Sequence, residues 1–252
     1  MSPRILTGQT ALITGAAKRI GREIALALAG EGVSVVTHYH ASTTEAENLC
    51  GDLRELGVQA WALAADLERE EQAEALIPRA IEAAGHLDIL VNNASIFPVS
   101  TLESLTFDDL ASSVQVNAWT PFILSRSFHR QVGRGKIVNL LDSRITGYNW
   151  SHVAYHLSKH LLAVLTRMTA LKYAPEITVN GIAPGLILPP PGRDESYLDK
   201  LIPTVPLKQR GAPQDVANAV LFLLKNDFIT GEIICVDGGW HLRDAGYGSH
   251  TD

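Results

Sequence analysis

Thr14-Gly15-Ala16-Ala17-Lys18-Arg19-Ile20-Gly21 follows the apolar run Ala11-Leu12-Ile13 and precedes a segment with helical spacing. A strand that stops at Thr14, a glycine, and a helix that starts near Arg19 aim backbone N–H groups and a helix N-terminus at one point, where a pyrophosphate can bind. The bland alternative is a tight strand-to-helix turn in which Gly15 and Gly21 serve only close packing. Arg19 stands where a second glycine of such a turn is expected.

The rest of the chain favours the first reading. Short β-branched runs at 11–14, 33–39, 59–63, 88–92, 136–141, 177–182 and 232–237 alternate with helix-like stretches near 20–30, 43–56, 69–85, 106–131, 153–173 and 213–225. That alternation predicts a single α/β domain, a Rossmann-type doubly wound parallel sheet of seven strands over residues 1–252. The segment from Pro184 to Pro206, rich in proline and glycine, is the one long irregular stretch, and 186–205 is expected to act as a lid over a pocket.

Composition narrows the function classes. The 252 residues are 46% hydrophobic and 19% charged, with a net charge of −6, and no lysine or arginine block is present. This argues against broad attraction to nucleic acid or an anionic membrane, so any anion site is local. Cys50 and Cys235 are far apart without metal-ligand spacing and are expected to be small buried residues. His156 and His160 have i, i+4 spacing but no third ligand, and are expected to be exposed helix polar groups; no metal is expected. The first apolar run at Ala11 lacks a charged leader, which makes a cytoplasmic protein the simplest expectation.

At the end of the second strand, a dinucleotide fold that prefers a free ribose 2′-hydroxyl offers an acid. Here the chain reads His38-Tyr39-His40-Ala41-Ser42, with no carboxylate. Lys18, His40 and Ser42 can all donate to a phosphate, so NADPH is the expected cofactor. Asp66 follows the third strand and would sit near an adenine or cap a helix.

Tyr155-His156-Leu157-Ser158-Lys159 puts a phenol and an ammonium four residues apart, on one face of a helix. A phenol titrates near ~10 and is a poor acid or base at neutral pH unless a cation favours its phenolate, which Lys159 can supply. These pieces, in order, resemble the short-chain dehydrogenase/reductase family from Thr10 to about Trp240. The matching residues include Asp66, Asn92-Asn93-Ala94, Asn117, Tyr155 with Lys159, Pro184-Gly185 and Val236-Asp237-Gly238-Gly239. The resemblance implies that Tyr155 is the acid/base, that Lys159 binds the nicotinamide ribose and lowers the tyrosine pKa, and that Asn117 holds a relay water. Pro121 supports the last role, since it lacks the N–H that would occupy the carbonyl of residue 117. The resemblance also implies cofactor contacts at Gly15, Lys18, Arg19, Ile20, His40, Ser42, Asp66, Leu67, Asn93, Ala94, Tyr155, Lys159, Pro184 and Gly185, and a homo-tetramer or dimer.

Two departures point within the family. Arg19 replaces the usual second glycine, and Asp142 stands where a serine is usual, although a one-residue shift would return Ser143 to that place. With Asn93-Ala94-Ser95-Ile96-Phe97 they resemble the pteridine reductases. That similarity implies Arg19 between phosphates and pterin, Asp142 as partner of Tyr155, Phe97 stacking the flat ring, and Ser95 and Leu186 at the substrate. Ala41 replaces a basic residue of that group, and Leu186-Ile187-Leu188-Pro189-Pro190-Pro191 lacks its threonine near the nicotinamide. Biopterin, monapterin and folate forms stay open. So do a carbonyl reductase of the same fold and, from another class, a non-catalytic NADP-binding sensor. Trp240 is expected to line the site or a subunit contact, and the tail 241–252 is expected to reach into a neighbouring subunit's site.

Overall fold

The computed structural model describes residues 5–190 and 192–243. Seven parallel strands form one sheet: β1 (Thr10–Ile13), β2 (Ser34–Tyr39), β3 (Ala60–Ala64), β4 (Ile89–Asn92), β5 (Gly135–Leu140), β6 (Ile177–Pro184) and β7 (Ile233–Val236), in the order β3-β2-β1-β4-β5-β6-β7. Both faces are covered, which is why the strands read as continuous apolar runs. Successive residues still choose opposite sides: Ala11 and Ile13 join one core with Ile89 and Val91, while Leu12 and Leu90 join the other. The first core packs beneath α1 (Arg19–Gly30), α2 (Thr43–Glu55) and α8 (Pro213–Leu224); the second packs beneath α3 (Glu70–Ala84), α5 (Thr120–Gln131) and α6 (Val153–Tyr173).

Two segments differ from the sequence reading. The helix expected at 106–131 is three pieces: α4 (Phe107–Val114), a wide turn at Gln115–Trp119, and α5. Thr120 N–H reaches back five residues to the Gln115 carbonyl, the expanded register that a missing donor at Pro121 favours. The stretch expected to be an irregular lid is only partly irregular, since it holds the short helix α7 (Glu195–Asp199), started by Asp194 accepting from Ser196 N–H. Leu186, Leu198 and Val205 are buried there in a small core of their own, with Tyr197 and Trp240 against it. Cys50 is buried as expected, but Cys235 is only half-buried.

The strand order reverses direction between β1 and β4, where ligands bind in sheets of this kind. Buried amides brace the β4–β5 side of that crevice: Asn92 Nδ2 donates to Asn139 Oδ1 (2.8 Å), and Asn139 Nδ2 to Thr166 Oγ1 (2.9 Å). The register of α6 against the sheet is thereby fixed. Close approach elsewhere depends on two glycines. A Cβ on Gly15 would meet the Ala94 backbone at 3.0 Å, and one on Gly21 would collide with the Gly15 carbonyl and the Asn93 amide. Gly21→Ala should therefore lower the unfolding free energy by about 1–3 kcal/mol. Gly51→Ala, where a Cβ meets nothing within 4 Å, should raise it by about 0.5–1 kcal/mol. Urea unfolding of both variants checks the contrast, and equal effects would contradict it.

Candidate active site

The turn after β1 is held from below. Thr14 Oγ1 accepts from the N–H groups of Asn93 (2.9 Å) and Ala94 (3.0 Å), and Asn93 Nδ2 donates to the carbonyls of Thr14 and Gly15. His38 supplies the other support, a role the sequence reading missed. Its Nδ1 accepts from Gly15 N–H (3.1 Å), its Nε2 lies 3.1 Å from the Ala65 carbonyl, and its own carbonyl accepts from Ala16 N–H. These partners assign the neutral tautomer with the proton on Nε2. Burial pushes the imidazole down from its usual 6.5 to about 4. The only sequence signal was a histidine at a position where its strand enters the core.

With the Gly15 and Ala16 donors directed into the fold, the N-terminus of α1 is left for a ligand. Its cap residue Lys18 makes no side-chain capping bond. Arg19 adopts a left-handed backbone with φ of 57°, which costs a non-glycine residue about 1 kcal/mol or more. Its guanidinium donates to the Pro189 carbonyl in the segment after β6 (2.7 Å), joining the two. Lys18 is not free: Nζ pairs with Glu45 Oε1 at 2.5 Å, and this partner holds the Glu45 carboxyl below its usual range. Asp66 proves to be a turn cap, with Oδ1 accepting from Glu68 N–H (3.0 Å).

On the far wall, Asp142 follows β5 and Tyr155 lies in the first turn of α6. The Tyr155 hydroxyl donates to Asp142 Oδ2 at 2.9 Å, while Asp142 Oδ1 accepts from Arg144 N–H at 2.8 Å. The register question is resolved: Asp142 meets the phenol, and the buried Ser143 hydroxyl has no partner among the described residues. The expectation that Lys159 lowers the tyrosine pKa is corrected. Burial first, and then the Asp142 charge, raise the Tyr155 phenol well above its ordinary value. Lys159 Nζ donates to the Leu140 carbonyl (2.7 Å), 5.6 Å from the tyrosine ring centre, and burial lowers it to about 8. A carboxylate in direct contact outweighs a buried ammonium at that distance.

The loop after β4 and the start of α6 form one unit. Ser100 accepts from Ala154 N–H through its hydroxyl and from Val153 N–H through its carbonyl, capping α6 from outside. Asn117 clasps the unit from the wide turn: Oδ1 accepts from Ile96 N–H (2.9 Å) and Ser95 Oγ (3.0 Å), and Nδ2 donates to the Ile96 carbonyl and Ser158 Oγ, both 3.0 Å. Its side chain is committed to protein partners, so neither side-chain atom is left for a relay water. Ser95 is likewise engaged with Asn117. Phe97 stacks on His152 (3.7 Å between ring centres) and meets the Tyr155 ring edge-on at 4.5 Å. Neither member of the histidine pair is an exposed group as expected: His156 is buried, and its Nε2 lies 3.1 Å from that of half-buried His160.

One cavity of about 840 Å³ joins the turn to the phenol. Of the residues predicted for the site, all but Ser42 and Asn117 line it, including Ile20, His40, Leu67, Pro184, Gly185 and Leu186; Trp240 lines it too. Residues 244–252, most of the tail, lie outside the described residues.

A family model described as enoyl-(acyl carrier protein) reductase matches residues 15–241. The chain belongs to the short-chain dehydrogenase/reductase family. It is 31% identical to glucose 1-dehydrogenase 2 of Bacillus subtilis, covering 94% of this chain and 96% of that protein. It is also 31% identical to the 3-oxoacyl-[acyl-carrier-protein] reductase of Staphylococcus epidermidis, covering 93% and 99%. Among solved structures, the FolM alternative dihydrofolate reductase 1 of Brucella canis, complexed with NADP, is 32% identical with a TM-score of 0.87, covering 95% and 96%. Membership makes the chain an oxidoreductase. No helix among the described residues is long and apolar enough to cross a membrane, and no cluster of three metal-ligating side chains occurs among them.

His38 gives the family turn a pH limit in this chain. A base whose folded pKa is depressed stabilises the fold above its unfolded value and loses that contribution as pH falls from 6.5 toward about 4. The loss should be on the order of 3 kcal/mol. Urea unfolding at both ends of this window should show it in the wild type and not in His38→Gln; identical pH dependence in the two proteins would contradict the assignment.

Proposed function

We propose that the protein reduces pterins of the dihydro type to the tetrahydro form with NADPH. The observation that carries this reading is the Tyr155–Asp142 hydrogen bond, in a cavity that also presents Phe97 and Arg19. A pterin is planar with a rim of donors and acceptors, and suits an aromatic face beside a few fixed polar groups. The cofactor fits the residues present: the N-terminus of α1 is uncapped, and the glycine turn leaves no room for a Cβ at Gly21. Arg19 and the α1 N-terminus would hold its phosphates, Lys18 and His40 its 2′-phosphate, and Lys159 its nicotinamide ribose. When bound, it supplies the hydride.

The chain's own residues handle the proton. Reduction of a ring C=N bond leaves a strongly basic nitrogen, and a phenol kept protonated by Asp142 releases its proton only to such a base. Asp142 also fixes the direction of the hydroxyl, and its charge favours return of a proton to Tyr155 after each turnover. Assembly into a homo-tetramer belongs to the same reading, through the exposed face of α6 that carries Leu157, Val164, Met168 and Leu171.

The test is NADPH oxidation with dihydrobiopterin, dihydromonapterin and dihydrofolate beside a panel of ketones. Pterins should be turned over and Tyr155→Phe should lose turnover while keeping NADPH binding. Asp142→Ser should lower kcat/KM for pterins about 100-fold or more and for any ketone far less. Turnover confined to carbonyl compounds would replace this reading with a carbonyl reductase, which the relation to the 3-oxoacyl reductase favours.

A further inference from the structure

Arg144 is a cation on the cavity wall whose guanidinium makes no hydrogen bond or ion pair among the described residues. Its backbone is fixed, because its N–H donates to Asp142 Oδ1 within the turn Ser143–Thr146. Its guanidinium lies 4.7 Å over the ring of Trp240, and both residues line the cavity. Trp240 is fixed in turn: its N–H donates to the Asp237 carbonyl (3.2 Å), and Thr146 Oγ1 donates to the neighbouring His241 carbonyl (3.2 Å), tying the two turns together. Stacking on an indole orients a guanidinium without using its N–H donors.

Those donors find no acceptor among the described residues. The other cations of the cavity are engaged: Lys18 with Glu45, Arg19 with the Pro189 carbonyl and Lys159 with the Leu140 carbonyl. Asp142 is the nearest acid in sequence, yet both its oxygens already accept, one from Arg144 N–H and one from Tyr155. Arg144 follows β5 and Trp240 follows β7, whereas the phosphate turn follows β1. In the strand order, β5 and β7 lie beyond β4 from that turn. The anion that Arg144 awaits is therefore not a cofactor phosphate.

We propose that Arg144, seated on Trp240, binds a carboxylate of the substrate, so that the cavity selects pterins whose side chain carries carboxylates over pterins with neutral side chains. This rests on the pterin reading above. A half-buried guanidinium matches a carboxylate in charge and in the spacing of its donors, and the exchange of water for that partner favours the charged substrate.

The test measures KM for dihydrofolate, with its glutamate carboxylates, and for dihydrobiopterin, with a neutral side chain, at saturating NADPH. In Arg144→Met the KM for dihydrofolate should rise about tenfold while that for dihydrobiopterin moves far less, and Arg144→Lys should recover part of the loss. Free p-aminobenzoylglutamate, which has the carboxylates without the ring, should compete with dihydrofolate in the wild type and lose that effect in Arg144→Met. Retained NADPH binding shows that the variants are folded. Parallel changes in the two KM values, or none, would overturn the carboxylate assignment and leave pterin reduction standing. Failure of the wild type to turn over either pterin would overturn both.

Discussion

The hydrogen bond between Tyr155 and Asp142 is the contact around which the reactive half of the molecule is arranged. It requires the end of β5 and the first turn of α6 to be held within a few tenths of an ångström, because a phenol and a carboxylate bond only over a narrow distance. Three supports converge on that placement. The Asn92–Asn139–Thr166 chain sets the height of α6 on the sheet, Lys159 ties the helix to the Leu140 carbonyl, and Ser100 caps its start from a separate loop. Asn117 then locks that loop to the helix through Ile96 and Ser158. The wide turn around Asn117 is thus a framing device, which turns its side chain onto the loop and the helix together.

The binding half depends on a different economy of donors. His38 and Thr14 absorb the polar groups that would otherwise compete for a ligand at the turn, leaving the uncapped α1 N-terminus to face the cavity. Arg19 accepts an unfavourable backbone conformation there, and what it gains is a charged reach to the Pro189 carbonyl beyond β6. A glycine would have avoided the strain and lost the link. Strained residues gather where function sets the geometry, and among the described residues Lys208 is the only other non-glycine with positive φ.

Much of this was legible in the sequence. Strand alternation placed every strand within a residue or two of its observed position, because a doubly covered parallel sheet needs apolar runs punctuated by glycine turns. The site residues were readable where a residue type has few other uses: Gly15 and Gly21 at a crowded turn, or Tyr155 and Lys159 one helical turn apart. Reading failed where tertiary partners decide the outcome. Lys18 appeared to be a free cation because Glu45 lies on another helix. The role of His38 went unread because its partners come from the residue just past β3 and from the β1 turn. The effect of Lys159 on Tyr155 was overestimated because a spacing of four residues carries no information about which charge lies nearer the hydroxyl. The expanded turn at Gln115–Trp119 was half visible in Pro121, whose missing N–H was noticed while the change of helical register was not.

The central claim is that Asp142 keeps the Tyr155 proton in place, and the most direct measurement is the titration of that phenol in the cofactor-free protein. Tyrosines labelled at the ring carbon that bears the oxygen, compared with Tyr155→Phe to assign the signal, report ionisation by NMR. The Tyr155 signal should stay in its protonated position beyond the pH at which an ordinary tyrosine ionises, and Asp142→Asn should bring the transition down. A Tyr155 transition near neutral pH in the wild type would contradict it and return control of the phenol to Lys159.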